Sequence, residues 1–131
     1  MRKFNVIAPA LIAILLITIL ISCGKSSSDT SDIYIPDIDG NWLNQADANN
    51  QFSFFDAPNN AATGSFSGNE FENGTVIGQF TGNFTHSKVS FTITFSDNSV
   101  PSVTYSGTIS GSSNPVMSLS SSKGKLVIKK Q

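Results

Sequence analysis

Between Lys88 and Ser96 the chain alternates with period two: Val89, Phe91, Ile93 and Phe95 are apolar, while Ser90, Thr92, Thr94 and Ser96 carry hydroxyls. Successive side chains of an extended strand leave on opposite faces, so this segment has one apolar face and one hydroxyl face. The hydroxyl face can stand in water. The apolar face must be covered, and one strand cannot cover itself.

The rest of the chain offers more of the same element. Segments 41–45, 51–55, 62–67, 75–83, 102–110, 116–120 and 125–130 are similarly short and rich in Phe, Val, Ile, Thr and Ser. In segment 102–110, Val103, Tyr105 and Ile109 alternate with Ser102, Thr104, Ser106 and Thr108. The separators are turn formers, among them Ala48-Asn49-Asn50, Pro58-Asn59-Asn60, Asp97-Asn98-Ser99 and Gly111 to Pro115. Asn73-Gly74 is the sequence signature of a type I′ hairpin turn. No segment after Gly40 shows a helical period, so the fold class is all-β. About eight antiparallel strands with short links leave two open edges unless the sheet closes on itself. The expected architecture is therefore a small up-and-down β-barrel, with a two-sheet β-sandwich as the alternative. The echo of Gly64-Ser65-Phe66-Ser67-Gly68 in Gly78-Gln79-Phe80-Thr81-Gly82 and Thr104-Tyr105-Ser106-Gly107 suits a barrel, because glycines let strands bend sharply.

The amino terminus carries a different signal. Met1-Arg2-Lys3 is followed by an apolar run from Phe4 to Ile21, interrupted only by Asn5, Pro9 and Thr18, and then by Ser22-Cys23-Gly24. A charged head and an apolar body make an export signal. Although the run is long enough to span a bilayer, only Lys25 and a serine run follow it, rather than a flanking cluster of Lys and Arg. Leu20-Ile21-Ser22-Cys23 resembles the lipobox of bacterial lipoproteins. That resemblance implies cleavage before Cys23, acylation of its sulfur, and a bacterial envelope location, with the outer membrane favoured because the residue after Cys23 is Gly24 rather than aspartate. Each buried CH₂ contributes about 0.8 kcal/mol, so two or three acyl chains anchor a protein stably.

The implied organisation is a signal peptide over 1–22, a lipidated cysteine and flexible tether over 23–39, and the barrel over 40–131. Loss of residues 1–22 from 131 leaves 109, enough for one domain. Removing Arg2 and Lys3 also takes the formal charge from −1 to −3, a balance with no electrostatic footprint for nucleic acid. Cys23 is the only cysteine, so the domain has no disulfide and depends on its core. Ile33, Tyr34, Ile35 and Ile38 are the tether residues able to lie against that domain.

Gly40-Asn41-Trp42-Leu43-Asn44-Gln45 resembles the first strand of the avidin and streptavidin family. The likeness continues in order at Ala62-Thr63-Gly64-Ser65-Phe66, Thr75 to Phe80, Phe91-Thr92-Ile93-Thr94-Phe95 and Thr104-Tyr105-Ser106-Gly107. It implies an eight-stranded meander with a ligand pocket at one mouth, for which Trp42, Asn44, Phe66, Phe95 and Tyr105 are the candidate residues. The favoured reading of Trp42 is a plug for the barrel floor, and that of Phe66, Phe95 and Tyr105 is core, since periodicity does not separate core from lining. Asn44 matches a position that hydrogen-bonds the ureido oxygen of biotin. The family's serine four residues later is Ala48, its tyrosine of the third strand is Phe66, and its tryptophans of the fifth and sixth strands are Phe95 and Tyr105. Its later tryptophans and its late aspartate have no counterpart. Each missing partner of a buried urea costs about 1–3 kcal/mol, so the resemblance implies the barrel and not biotin.

The chain contains no constellation for catalysis. His86 is the only histidine and falls in a turn signal, with no second histidine or free thiol to build a metal site or a triad. Asp37 with Asp39, and Glu70 with Glu72 around Phe71, read as solvated loop acids too few for a calcium loop. The expected role is a non-enzymatic binding module without a cofactor. Its expected partners are the membrane through Cys23 and either a small apolar ligand or another envelope protein; the alternative is an interaction or inhibitor domain with a filled barrel.

Overall fold

The computed structural model describes residues 34–131. The signal segment, Cys23 and most of the tether lie outside the described residues. Eight strands follow one another: β1 (Gly40–Asn44), β2 (Asn50–Phe55), β3 (Thr63–Glu72), β4 (Thr75–Thr85), β5 (Lys88–Phe95), β6 (Val103–Ser110), β7 (Val116–Ser121) and β8 (Gly124–Lys130). Each pairs antiparallel with the next, and β1 pairs with β8 through Trp42↔Lys130, Leu43↔Lys129 and Asn44↔Ile128. The sheet is thus a closed up-and-down barrel, and the sandwich alternative is excluded.

The alternation in β5 determines which way its side chains go. Val89, Phe91 and Ile93 are buried inside, whereas Ser90, Thr92 and Thr94 face outward. There they meet the outward hydroxyls of β6, with Ser90 Oγ 2.8 Å from Ser106 Oγ and Thr92 Oγ1 2.8 Å from Thr104 Oγ1. An apolar inside and a hydroxyl outside reverse the wall of a membrane-spanning barrel, whose outward band is apolar.

An eight-stranded barrel is just wide enough for side chains to fill it, and strand register shows how this one is filled. Phe54, Gly68, Phe80 and Ile93 are successive partners across β2 to β5. Phe66, Gly82, Phe91 and Tyr105 run across β3 to β6, and Phe84, Val89, Gly107 and Leu119 across β4 to β7. Each row holds a glycine, which in the first two stands between rings and in the third between Val89 and Leu119. A Cβ built on Gly68 would overlap the Phe80 ring and lie 2.5 Å from the Ser53 carbonyl oxygen; one on Gly82 would lie 2.7 Å from Phe66 Cζ. The Gly-X-Phe-X-Gly echo is therefore a packing device in which the missing Cβ atoms make room for rings. Phe54 sits at the centre, with ring centroids 5.8 Å from Trp42, 5.2 Å from Phe66, 4.8 Å from Phe80 and 5.6 Å from Phe91. Tilted and edge-on rings at such distances add about 0.5–1.5 kcal/mol per pair beyond area burial.

Two strands extend by two residues or more beyond the segments expected from sequence. The third segment, expected to end at Ser67, continues as β3 to Glu72, and β4 reaches Thr85 rather than Asn83. Gly68 and Glu70 interrupt the apolar alternation that a strand reading follows, yet both point inward. Glu70 and Glu72 accordingly belong to a strand and not to a loop. Pairing slips between Glu70 and Phe71, with Ile77 of β4 as the extra residue, and the hairpin closes at Asn73-Gly74. Both turn residues have positive φ, 51° and 77°, as the type I′ reading requires.

Residues 34–39 lie against the barrel. Ile38 is buried, its carbonyl oxygen accepts a 2.8 Å hydrogen bond from Trp42 Nε1, and Asp39 Oδ1 accepts from the Ala57 amide at 2.9 Å. Tyr34 Oη donates to the Gly111 carbonyl oxygen at 3.1 Å, and burial followed by the Asp37 charge pushes its pKa above the usual phenol value. This strap contacts the end of the barrel that carries the β2–β3 and β6–β7 connections.

Candidate functional site

The opposite end carries the β1–β2, β3–β4, β5–β6 and β7–β8 turns, and there the inward rows change from rings to polar groups. The inward row of β2 runs Phe54, Phe52, Asn50, and that of β3 runs Phe66, Gly68, Glu70. Asn50 and Glu70 are the two buried polar residues of the described chain, with Glu70 only 9% exposed. They are joined in a chain. Asn44 Nδ2 donates to Asn50 Oδ1 at 3.0 Å, and Asn50 Nδ2 donates to Glu70 Oε1 at 2.9 Å and, less directly, to the Phe71 carbonyl oxygen at 3.3 Å. Asn44 Oδ1 accepts from the Ala46 amide at 2.9 Å, which holds the β1–β2 turn.

Glu70 Oε2 is buried and has no partner. Burial raises the pKa of this carboxyl above the usual glutamate value; the Asn50 hydrogen bond and Lys123 oppose the shift, and Glu72 adds to it. Protonation removes the cost of the buried charge and turns Oε2 into a donor. Beside this chain, Lys123 Nζ lies 4.4 Å from the centroid of the Phe95 ring, a cation–π contact over the rim.

The five candidate pocket residues are distributed between packing and this mouth. Trp42 and Phe66 are buried in the ring cluster, both against Phe54. Tyr105 is half-buried, 5.7 Å from Phe91 between centroids. Phe95 lies under Lys123, and Asn44 spends its amide on Asn50 and the turn. The depressions on the outer wall and beside the strap are not lined by Trp42, Asn44, Phe66, Phe95 or Tyr105. Sequence reasoning missed Asn50 and Glu70. Parity with Phe52 and Phe66 was the available signal, because residues two or four apart in a strand share a face. No group of acids, histidines and cysteines among the described residues could hold a metal ion.

Comparison with protein-family models, with curated proteins and with solved structures finds no match.

Proposed function

We propose that the chain is an envelope lipoprotein, acylated at Cys23 and cut before it, whose filled barrel is a rigid binding module that recognises its partner on its outside. The observation that supports the module reading is the ring cluster of Trp42, Phe54, Phe66, Phe80 and Phe91, which packs the barrel interior with side chains. The anchor reading rests on Leu20-Ile21-Ser22-Cys23 after a charged head and an apolar run. Recognition then falls to loops and outward rows, which a barrel positions as firmly as a pocket would.

Metabolic labelling with radioactive palmitate tests the anchor: the wild-type protein takes up label and Cys23→Ser does not. Equal labelling of the two, or a mature protein beginning at Met1, overturns it.

A second reading is favoured by the orphaned oxygen of Glu70. A small ligand with an N–H donor, lodged at the mouth among Asn50, Glu70 and Phe95, would satisfy Oε2 of the ionised carboxylate, and that hydrogen bond would favour the ionised form over the protonated one. It predicts that Glu70→Gln abolishes binding of such a ligand, whereas the outer-surface reading predicts no effect.

A further inference from the structure

On the outer wall, two adjacent register rows surround a depression of about 390 Å³. One row is Phe55, Ser67, Thr81 and Thr92; the next is Asn69, Gln79 and Thr94. The backbone of Gly68 and Phe80 forms the floor between them, since both of these residues project inward. The volume falls within the range of roughly 300–1,000 Å³ usual for small-molecule sites.

The lining narrows the chemistry of an occupant. None of its side chains is ionisable, so no charged group is there to bind or select an anion or a cation. Its composition of four hydroxyl residues and two amides is also unlike the core of a protein interface, which is enriched in aromatic residues, Met and Arg and depleted in Ser. A hydroxyl offers one donor and two acceptor sites, and a side-chain amide two donors and an acceptor, all without charge. That inventory complements a ligand made of hydroxyl groups. The remaining member is Phe55, 39% exposed at the edge of the depression, where burial in the core would be the ordinary fate of such a ring. An aromatic face carries partial negative charge and receives the C–H face of a pyranose ring. The hydroxyl ladder continues from Thr92 to Thr104 and from Thr94 to Ser102, so the site opens onto a longer polar track.

We propose that this depression binds a neutral saccharide, with Phe55 as the stacking platform and Asn69, Gln79 and Thr94 as the hydrogen-bonding row. The assignment rests on the reading of the barrel as an outward-facing binding module, and it is independent of acylation at Cys23.

The test is isothermal titration calorimetry of the full-length protein with neutral hexasaccharides of α-glucan, β-glucan, mannan and galactan type, and with a polyuronate as the charged control. The expected result is binding of at least one neutral hexasaccharide, weakened at least tenfold by Phe55→Ala and by Gln79→Ala and unchanged by Glu70→Gln. Near-ultraviolet circular dichroism of Trp42 checks that each variant is folded; both substituted positions are outward, so the signal is expected to be retained. Absence of binding to every neutral hexasaccharide overturns the saccharide site and leaves the filled-barrel reading standing. Binding that survives both outer substitutions but is lost in Glu70→Gln overturns both, because it puts the ligand at the mouth. Tighter binding of the polyuronate than of any neutral sugar also overturns the proposal.

Discussion

Gly68→Ala tests the ring-and-glycine packing most directly. The added methyl would overlap the Phe80 ring and approach the Ser53 carbonyl oxygen to 2.5 Å. Neither can yield freely, because the oxygen belongs to the backbone of β2 and the ring is held 4.8 Å from Phe54 and 4.9 Å from Phe91 between centroids. Overpacking a well-filled core costs roughly 1–3 kcal/mol. Against that, replacing a strand glycine by alanine recovers about 0.5–1 kcal/mol of backbone entropy. With two immobile neighbours the clash belongs at the upper end of its range, leaving a net loss of about 2 kcal/mol. For a domain of this size, that lowers Tm by on the order of 10 °C. The assay is urea unfolding followed by Trp42 fluorescence, with an unchanged slope showing that stability alone has moved. The informative partner is Phe80→Leu. If ring and glycine are complementary, the double variant is more stable than the sum of the two single losses by about 1 kcal/mol or more. Additivity within about 0.5 kcal/mol, the behaviour of independent sites, would refute the argument; so would a Gly68→Ala protein as stable as the wild type.

Glu70 predicts a dependence on pH. Its carboxyl titrates above the usual glutamate value in the folded protein, so the folded state holds the proton more tightly than the unfolded chain. The stability this confers is complete below the unfolded pKa and is lost as pH rises through the folded one. Thermal unfolding of Glu70→Gln from pH 4 to pH 8 is expected to lack that decline; identical profiles for variant and wild type would contradict it. Trp42→Phe removes the donor to the Ile38 carbonyl oxygen and is expected to cost about 1–3 kcal/mol. Limited proteolysis should then cut within 34–39 before the barrel, and a wild-type cleavage pattern would show that the strap does not depend on this bond.

The barrel was legible because polar residues alternate with apolar ones in β5 and β6 and because turn formers separate every strand. The end of β3 was not. There the inward row reads Phe66, Gly68, Glu70, and local periodicity treats a glycine and a carboxylate as the end of a strand. Only the opposing Phe80 explains the glycine, and that residue is distant in sequence but adjacent in register. The aromatic candidates were found, but alternation gives the face of a strand and not what fills the space in front of it. Alternation thus leaves Trp42 and Phe66 compatible with lining as well as with the favoured reading of core, and their ring contacts with Phe54 place them in the filling. Asn50 and Glu70 looked like turn and loop residues because each is polar beside a turn signal; their burial follows from strand parity, which counts from Phe52 and Phe66 rather than from composition.

The seam between β1 and β8 joins the beginning of the folded body to its last strand. Until residues 124–130 are in place the first strand has no neighbour on one side, so the cylinder cannot shut before β8 arrives. A chain built this way postpones its final shape, and loss of β8 would leave two raw borders able to recruit strands from other copies.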